Sequence, residues 1–169
     1  MPKFHAQTES GTVARVEADQ AIDVPANRTW NVVEDFDNYD DWNPVFRHID
    51  GARSRGRTGY VTVRDRVNGL VNTEVRLLFR EPPVALAWRW SIPGLSELAP
   101  EQYFYIDSRP GGLSHVYFGT SFRGPFAGAL AVGVRPMIEP LLREMCLALK
   151  TRLERPSPVL NRHSASPVE

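Results

Sequence analysis

Cysteine is almost missing from this sequence. One, Cys146, stands among 169 residues, so no internal disulfide can form and the chain suits a reducing compartment. Its neighbours Met145, Leu147 and Leu149 make a buried, inert thiol the expectation. Net charge is missing too, because 20 Lys+Arg balance 20 Asp+Glu. A general nucleic-acid binder carries a basic excess, so nucleic acid is not an expected partner. No apolar run approaches the ~20 residues that span a bilayer. Met1 to Gln7 have no apolar stretch of the kind a signal peptide needs. The expectation is a cytoplasmic protein with no stable membrane insertion. His5, His48, His115 and His163 are scattered without zinc-ligand spacing, so no metal is expected. Gly-rich phosphate loops, a Gly-x-Gly-x-x-Gly turn and a Gly-x-Ser-x-Gly turn are all lacking, and no cofactor is expected. Asp35, Asp37, Asp40 and Asp41 lack the Gly and distal Glu of a calcium loop and read as turn and capping residues.

What is present is strand after strand, then one long helix. Thr12 to Val24 alternates Ala14, Val16, Ala18 and Ile22 with Arg15, Glu17, Asp19 and Asp23, the pattern of a half-buried strand. Pro25 suits the first turn of a helix, on which Trp30 and Val33 share a face before the aspartates break it. Short strands follow at Val45 to Ile49 and Tyr60 to Val67. The latter is joined through Asn68-Gly69, a strong hairpin signal, to Leu70 to Arg80. There Val71, Thr73, Val75, Leu77 and Phe79 share the face expected to look inward. Val84 to Ile92, Glu101 to Ser108 and Leu113 to Phe122 complete seven strands. Beyond Gly124-Pro125, Ile138, Leu141, Leu142, Met145, Leu149 and Leu153 recur at helical spacing. Pro136 and Pro140 predict a kink, or a regular helix starting near Pro136. Residues 1–11 are expected to be a loose N-terminus, 12–155 a single α+β domain and 156–169 a disordered tail.

This order of elements, with these residues, resembles the SRPBCC or START-like superfamily, most closely its polyketide cyclase/dehydrase-like branch. The likeness rests on Val24-Pro25-Ala26 running to Trp30, on Asp35-Phe36-Asp37-Asn38-Tyr39 running to Trp42-Asn43-Pro44, on Phe122-x-Gly124, and on Met145 to Glu154. It implies a helix-grip fold, in which a curved seven-stranded antiparallel sheet wraps the C-terminal helix and a hydrophobic small molecule lies between them. It also implies two classes of activity. One is a cyclase, aromatase or dehydratase, a lyase or isomerase working without metal or organic cofactor. The other is a non-catalytic carrier or sensor of a lipid or similar metabolite. Fold alone does not choose between them. Where relatives often carry Gly-Glu-His, this chain has Pro100-Glu101-Gln102, so a role resting on that histidine has no residue here.

The candidate lining residues are Trp42, Val75, Leu77, Trp88, Trp90, Phe104, Phe118, Ile138, Leu141 and Met145. Trp88 and Trp90 share one strand face and serve equally as an aromatic wall or as core. In the last two strands alternation defines two faces without saying which is inner. Phe104 and Ile106 oppose Tyr103 and Tyr105, and Val116 and Phe118 oppose His115 and Tyr117. If the polar faces look inward, His115 and Tyr103 are candidates for acid–base chemistry, and an inward Arg64 for holding an oxyanion. Arg53, Arg55 and Arg57 form either a solvated loop or a site for an acidic partner such as a carrier protein. A second copy of the chain is the other candidate partner.

Overall fold

The structure, a computed structural model, describes residues 13–51, 53–65, 69–91 and 100–155. The N-terminus, the C-terminal tail, the tip of the Asn68-Gly69 hairpin and the Pro93-Gly94 loop lie outside the described residues. Strand β1 (Val13–Ile22) leads to helix α1 (Ala26–Val33) and a 3-10 segment (Phe36–Asp41). Six strands follow: β2 (Phe46–Asp50), β3 (Thr58–Asp65), β4 (Gly69–Glu81), β5 (Ala85–Ser91), β6 (Glu101–Arg109) and β7 (Leu113–Arg123). The chain then enters α2 (Ala127–Glu154). All seven strands form one antiparallel sheet in the order β1-β7-β6-β5-β4-β3-β2. Helix α2 packs on β1 and β7 at one side of that sheet.

Packing settles which strand faces look inward. Phe104 and Phe118 are buried and stack with ring centroids 4.0 Å apart, so their face forms the core. Tyr103, Tyr105, His115 and Tyr117 project from the opposite, outer face, where Tyr105 meets Tyr117 at 5.8 Å. In β4 one expectation is corrected. Val75 and Leu77 point inward and are buried, but the register slips between Leu77 and Phe79. This bulge adds one residue, so Phe79 turns to the outer face beside Ala87 and Tyr103. A bulge has this effect because side chains alternate with period two. It also delivers Arg80 to α1, where it pairs with Glu34 and lies 5.8 Å from the Trp30 ring centroid.

Helix α2 is continuous from Ala127, upstream of the expected start near Pro136. Pro136 and Pro140 each remove one backbone donor. Both are exposed, so the carbonyls deprived of a helical partner lie on the solvent side. The far end of α2 is fastened to β1. Glu154 Oε1 accepts from the Asp23 amide at 2.8 Å and from Lys150 Nζ at 2.7 Å. Helix α1 is fixed to the sheet by a buried hydroxyl contact, Thr29 to Ser114, at 2.9 Å.

Candidate functional site

Because α2 leans on β1 and β7, the remaining strands curve away from its first half, and a cavity of about 340 Å³ lies between them. On the helix side Leu130, Val134, Ile138, Leu141 and Met145 line it, following the spacing of one helical face. The sheet side is built by Val45 and Phe46 at β2, Val63 on β3, Trp90 on β5, and Phe122 on β7. The buried Asn43 sets the β2 end. Its Oδ1 accepts from the Val45 and Phe46 amides at 3.0 and 2.8 Å, turning the chain so that both side chains face the cavity.

Two polar side chains reach this wall among the described residues, Gln102 and Thr120. They are register partners on β6 and β7. The Thr120 hydroxyl donates to Gln102 Oε1 at 3.0 Å, and both residues are buried. The indole N–H of Trp90 is shielded from solvent and has no hydrogen-bond partner. No charged side chain lines the described part of the wall, so the interior presents apolar surface and one neutral hydrogen-bonded pair.

Of the expected lining residues, Trp90, Ile138, Leu141 and Met145 stand on the cavity wall. Val75, Leu77, Trp88, Phe104 and Phe118 face the same side of the sheet but are packed into the core and do not form the wall. Trp88 meets Phe36, Phe46 and Phe104 at ring-centroid distances of 6.3, 5.9 and 6.1 Å. Trp42 lies elsewhere, stacked edge-on to Tyr39 at 5.1 Å and lining a separate cleft at the C-terminal end of α2. Val45, Phe46, Val63, Pro100, Gln102, Thr120, Phe122, Leu130, Val134 and Leu142 are further wall residues, none of them among the lining candidates that the sequence offers. For Leu130 and Val134 the helical spacing upstream of Ile138 was the available signal.

The three candidates for catalysis stand on the outer face. His115 Nε2 is 2.7 Å from Asp19 Oδ2, and its ring stacks on Tyr117 at 4.8 Å. The Tyr103 hydroxyl donates to Glu17 Oε2 at 2.6 Å. Burial and the neighbouring Glu17 carboxylate push that phenol far above its ordinary range. Arg64 is exposed and opposite Leu70. The acidic cluster and the basic loop partly neutralise each other, since Arg53 pairs with Asp37 and Arg47 lies 2.6 Å from Asp40. Cys146 is buried against the Ala18 carbonyl, and burial pushes its thiol up to about 12, which leaves it protonated and unreactive at neutral pH.

Glu101, next to Gln102, anchors β6 from the outer side. It receives Arg89 at 2.6 Å and Arg123 at 2.9 Å across three strands, and only 8% of it is exposed. Burial raises its carboxyl, but the hydrogen bonds from Arg123 and Arg89 outweigh this and hold it below the ordinary 4.5. A lowered native pKa contributes stability above 4.5 that is lost as pH falls through the native value. Glu101→Gln is therefore expected to cost about 2 kcal/mol near neutral pH. The deficit should shrink in acid, as read by urea unfolding of both proteins along a pH series. An equal gap at every pH would contradict the role of that charge.

A family model described as polyketide cyclase / dehydrase and lipid transport matches residues 13–154. The chain belongs to that family. This member of the SRPBCC/START-like superfamily has the helix-grip fold seen in solved structures. It is similar to the Zhui aromatase/cyclase from Streptomyces sp. R1128, with TM-score 0.63, 16% identity, and coverage of 85% of this chain and 95% of that one. Truncated norcoclaurine synthase from Thalictrum flavum aligns with TM-score 0.65 and 12% identity over 89% of this chain and 99% of its own. A START superfamily protein from Mycobacterium smegmatis aligns with TM-score 0.63 and 17% identity over 83% and 97%. At these identities the likenesses establish the fold alone. No curated protein matches the sequence. No helix among the described residues is long and apolar enough to cross a membrane.

Proposed function

We propose that this family member binds a hydrophobic, uncharged small molecule carrying one hydrogen-bonding oxygen, and that it holds the molecule as a carrier or sensor without converting it. The supporting observation is the makeup of the cavity wall. Gln102 and Thr120 are its polar side chains among the described residues, and they bond to each other. A charged ligand would lose its hydration there with no opposite charge in return. A carbonyl or hydroxyl is accommodated, because Thr120 occupies the Gln102 oxygen and leaves the amide NH₂ to donate. The volume falls at the small end of the range for organic ligands. His115, Tyr103 and Arg64 lie across the sheet from the cavity, so proton transfer has no assigned group among them.

A second reading, a cyclase-type enzyme, is favoured by the convergence of Gln102 and Thr120 at one spot. There they would orient a reactive chain and polarise one carbonyl, with acceleration arising from positioning. Native mass spectrometry of freshly purified protein separates the two. A molecule recovered unchanged after incubation supports holding, and a mass-shifted product supports conversion. The hydrogen-bonding part is tested with 2-acetylnaphthalene and 2-ethylnaphthalene. Gln102→Leu should weaken the ketone roughly tenfold and leave the hydrocarbon unaffected. Equal losses for both would remove the assigned role of the amide.

A further inference from the structure

We infer that a second cleft, at the C-terminal end of α2, binds a small organic phosphate. This cleft, about 710 Å³, lies where α1 and the end of α2 come together. Helix α1 turns Arg28, Asn31 and Val32 toward it, and α2 turns Ala148, Thr151 and Arg152, with Arg155 just past its end. Both sets follow the i, i+3, i+4 spacing of one helical face. Asp41 and Trp42 close the third side.

Three guanidinium groups thus meet one carboxylate. Arg152 approaches Asp41 only to 3.6 Å, and Arg28 and Arg155 form no ion pair among the described residues. The surplus of two positive charges matches a phosphate monoester, which carries nearly two negative charges at neutral pH. Guanidinium forks also fit phosphate oxygens in a bidentate manner. Val32, Trp42 and Leu153 supply apolar wall for an organic remainder.

Helix electrostatics account for part of this arrangement and not for the rest. Arg152 lies in the last turn of α2, where a cation interacts favourably with the helix dipole. Arg28 lies in the first turn of α1, which has no acidic residue. There a cation opposes the dipole. An anion bound between the two helices would offset that cost.

The test is isothermal titration calorimetry of the full chain with phenyl phosphate at low ionic strength, with inorganic phosphate and benzoate in parallel. Phenyl phosphate is expected to bind saturably and more tightly than either comparison ligand. Arg28→Gln and Arg155→Gln should each weaken it roughly tenfold. Arg55→Gln, on an exposed loop outside the cleft wall, and the cavity-blocking Val134→Trp should leave it unchanged. Circular dichroism melts confirm that each variant is folded. Absence of saturable heat, an equal loss with Arg55→Gln, or a loss with Val134→Trp would each overturn the site. Phenyl phosphate binding no tighter than inorganic phosphate would overturn the organic-phosphate assignment.

Discussion

Val134→Trp should abolish binding of an apolar probe while leaving the fold intact. Val134 is half-buried on the α2 face that closes the cavity, and an indole there projects into about 340 Å³ of space. That volume is already near the lower limit for an organic ligand, so filling part of it leaves too little for a guest. The helix does not depend on Val134 for its attachment. Ala127, Ala131, Leu142, Met145, Cys146, Leu149 and Leu153 are the buried residues that seat α2, and the terminal bonds of Glu154 to Lys150 and to the Asp23 amide remain. New apolar contacts inside a void favour the folded state. N-phenyl-1-naphthylamine, a neutral fluorescent probe, should therefore lose at least about 100-fold in affinity, close to 2.7 kcal/mol. The thermal midpoint should hold or rise. Unchanged probe affinity in a folded Val134→Trp protein would place ligand binding somewhere other than this cavity.

The helix-lining half of the site was legible because a 3.6-residue period survives in the sequence. Ile138, Leu141 and Met145 recur on one face, and the structure puts all three on the wall. The same period runs upstream through Leu130 and Val134, but Pro136 and Pro140 read as a barrier to regular helix. They prove compatible with it because their missing donors fall on the exposed side. On the sheet, alternation yields two faces but does not name the inner one. The stacking of Phe104 on Phe118 is a contact between two strands, and no pattern within either strand encodes it. The bulge after Leu77 is less legible still. It reverses Phe79 through one added residue whose local sequence, Leu77-Leu78-Phe79, is apolar throughout.

Gln102 shows a different limit. Nothing within Pro100-Glu101-Gln102 singles out Gln102 as a wall residue. Its significance comes from register. Gln102 faces Thr120 across β6 and β7 and Trp88 across β5 and β6, which aims the amide inward while Glu101 aims outward at Arg89 and Arg123. Adjacent polar residues therefore face opposite ways, one toward the cavity and one toward the ion pairs that tie three strands together.

Trp88→Ala and Trp90→Ala should separate core from wall on a single strand. The two indoles share a face two residues apart, and alternation alone treats them alike. Curvature of the sheet does not. Trp88 is 2% exposed, opposes Leu77 and Gln102, and is enclosed by Phe36, Phe46 and Phe104. Removing it leaves a void that rings on three sides cannot collapse into, at a cost of about 3–5 kcal/mol. Trp90 opposes Val75, accepts partial exposure, and borders space that already exists. Its loss extends the cavity at less than about half that cost, because fewer packed contacts disappear. Urea unfolding should rank Trp88→Ala as far the less stable of the two. Probe titration should show the reverse emphasis, with Trp90→Ala altering affinity more than tenfold, since this side chain lines the cavity. If Trp90→Ala proves the more destabilising variant, or if Trp88→Ala changes affinity at undiminished stability, the assignment of Trp88 to the core and Trp90 to the wall is wrong.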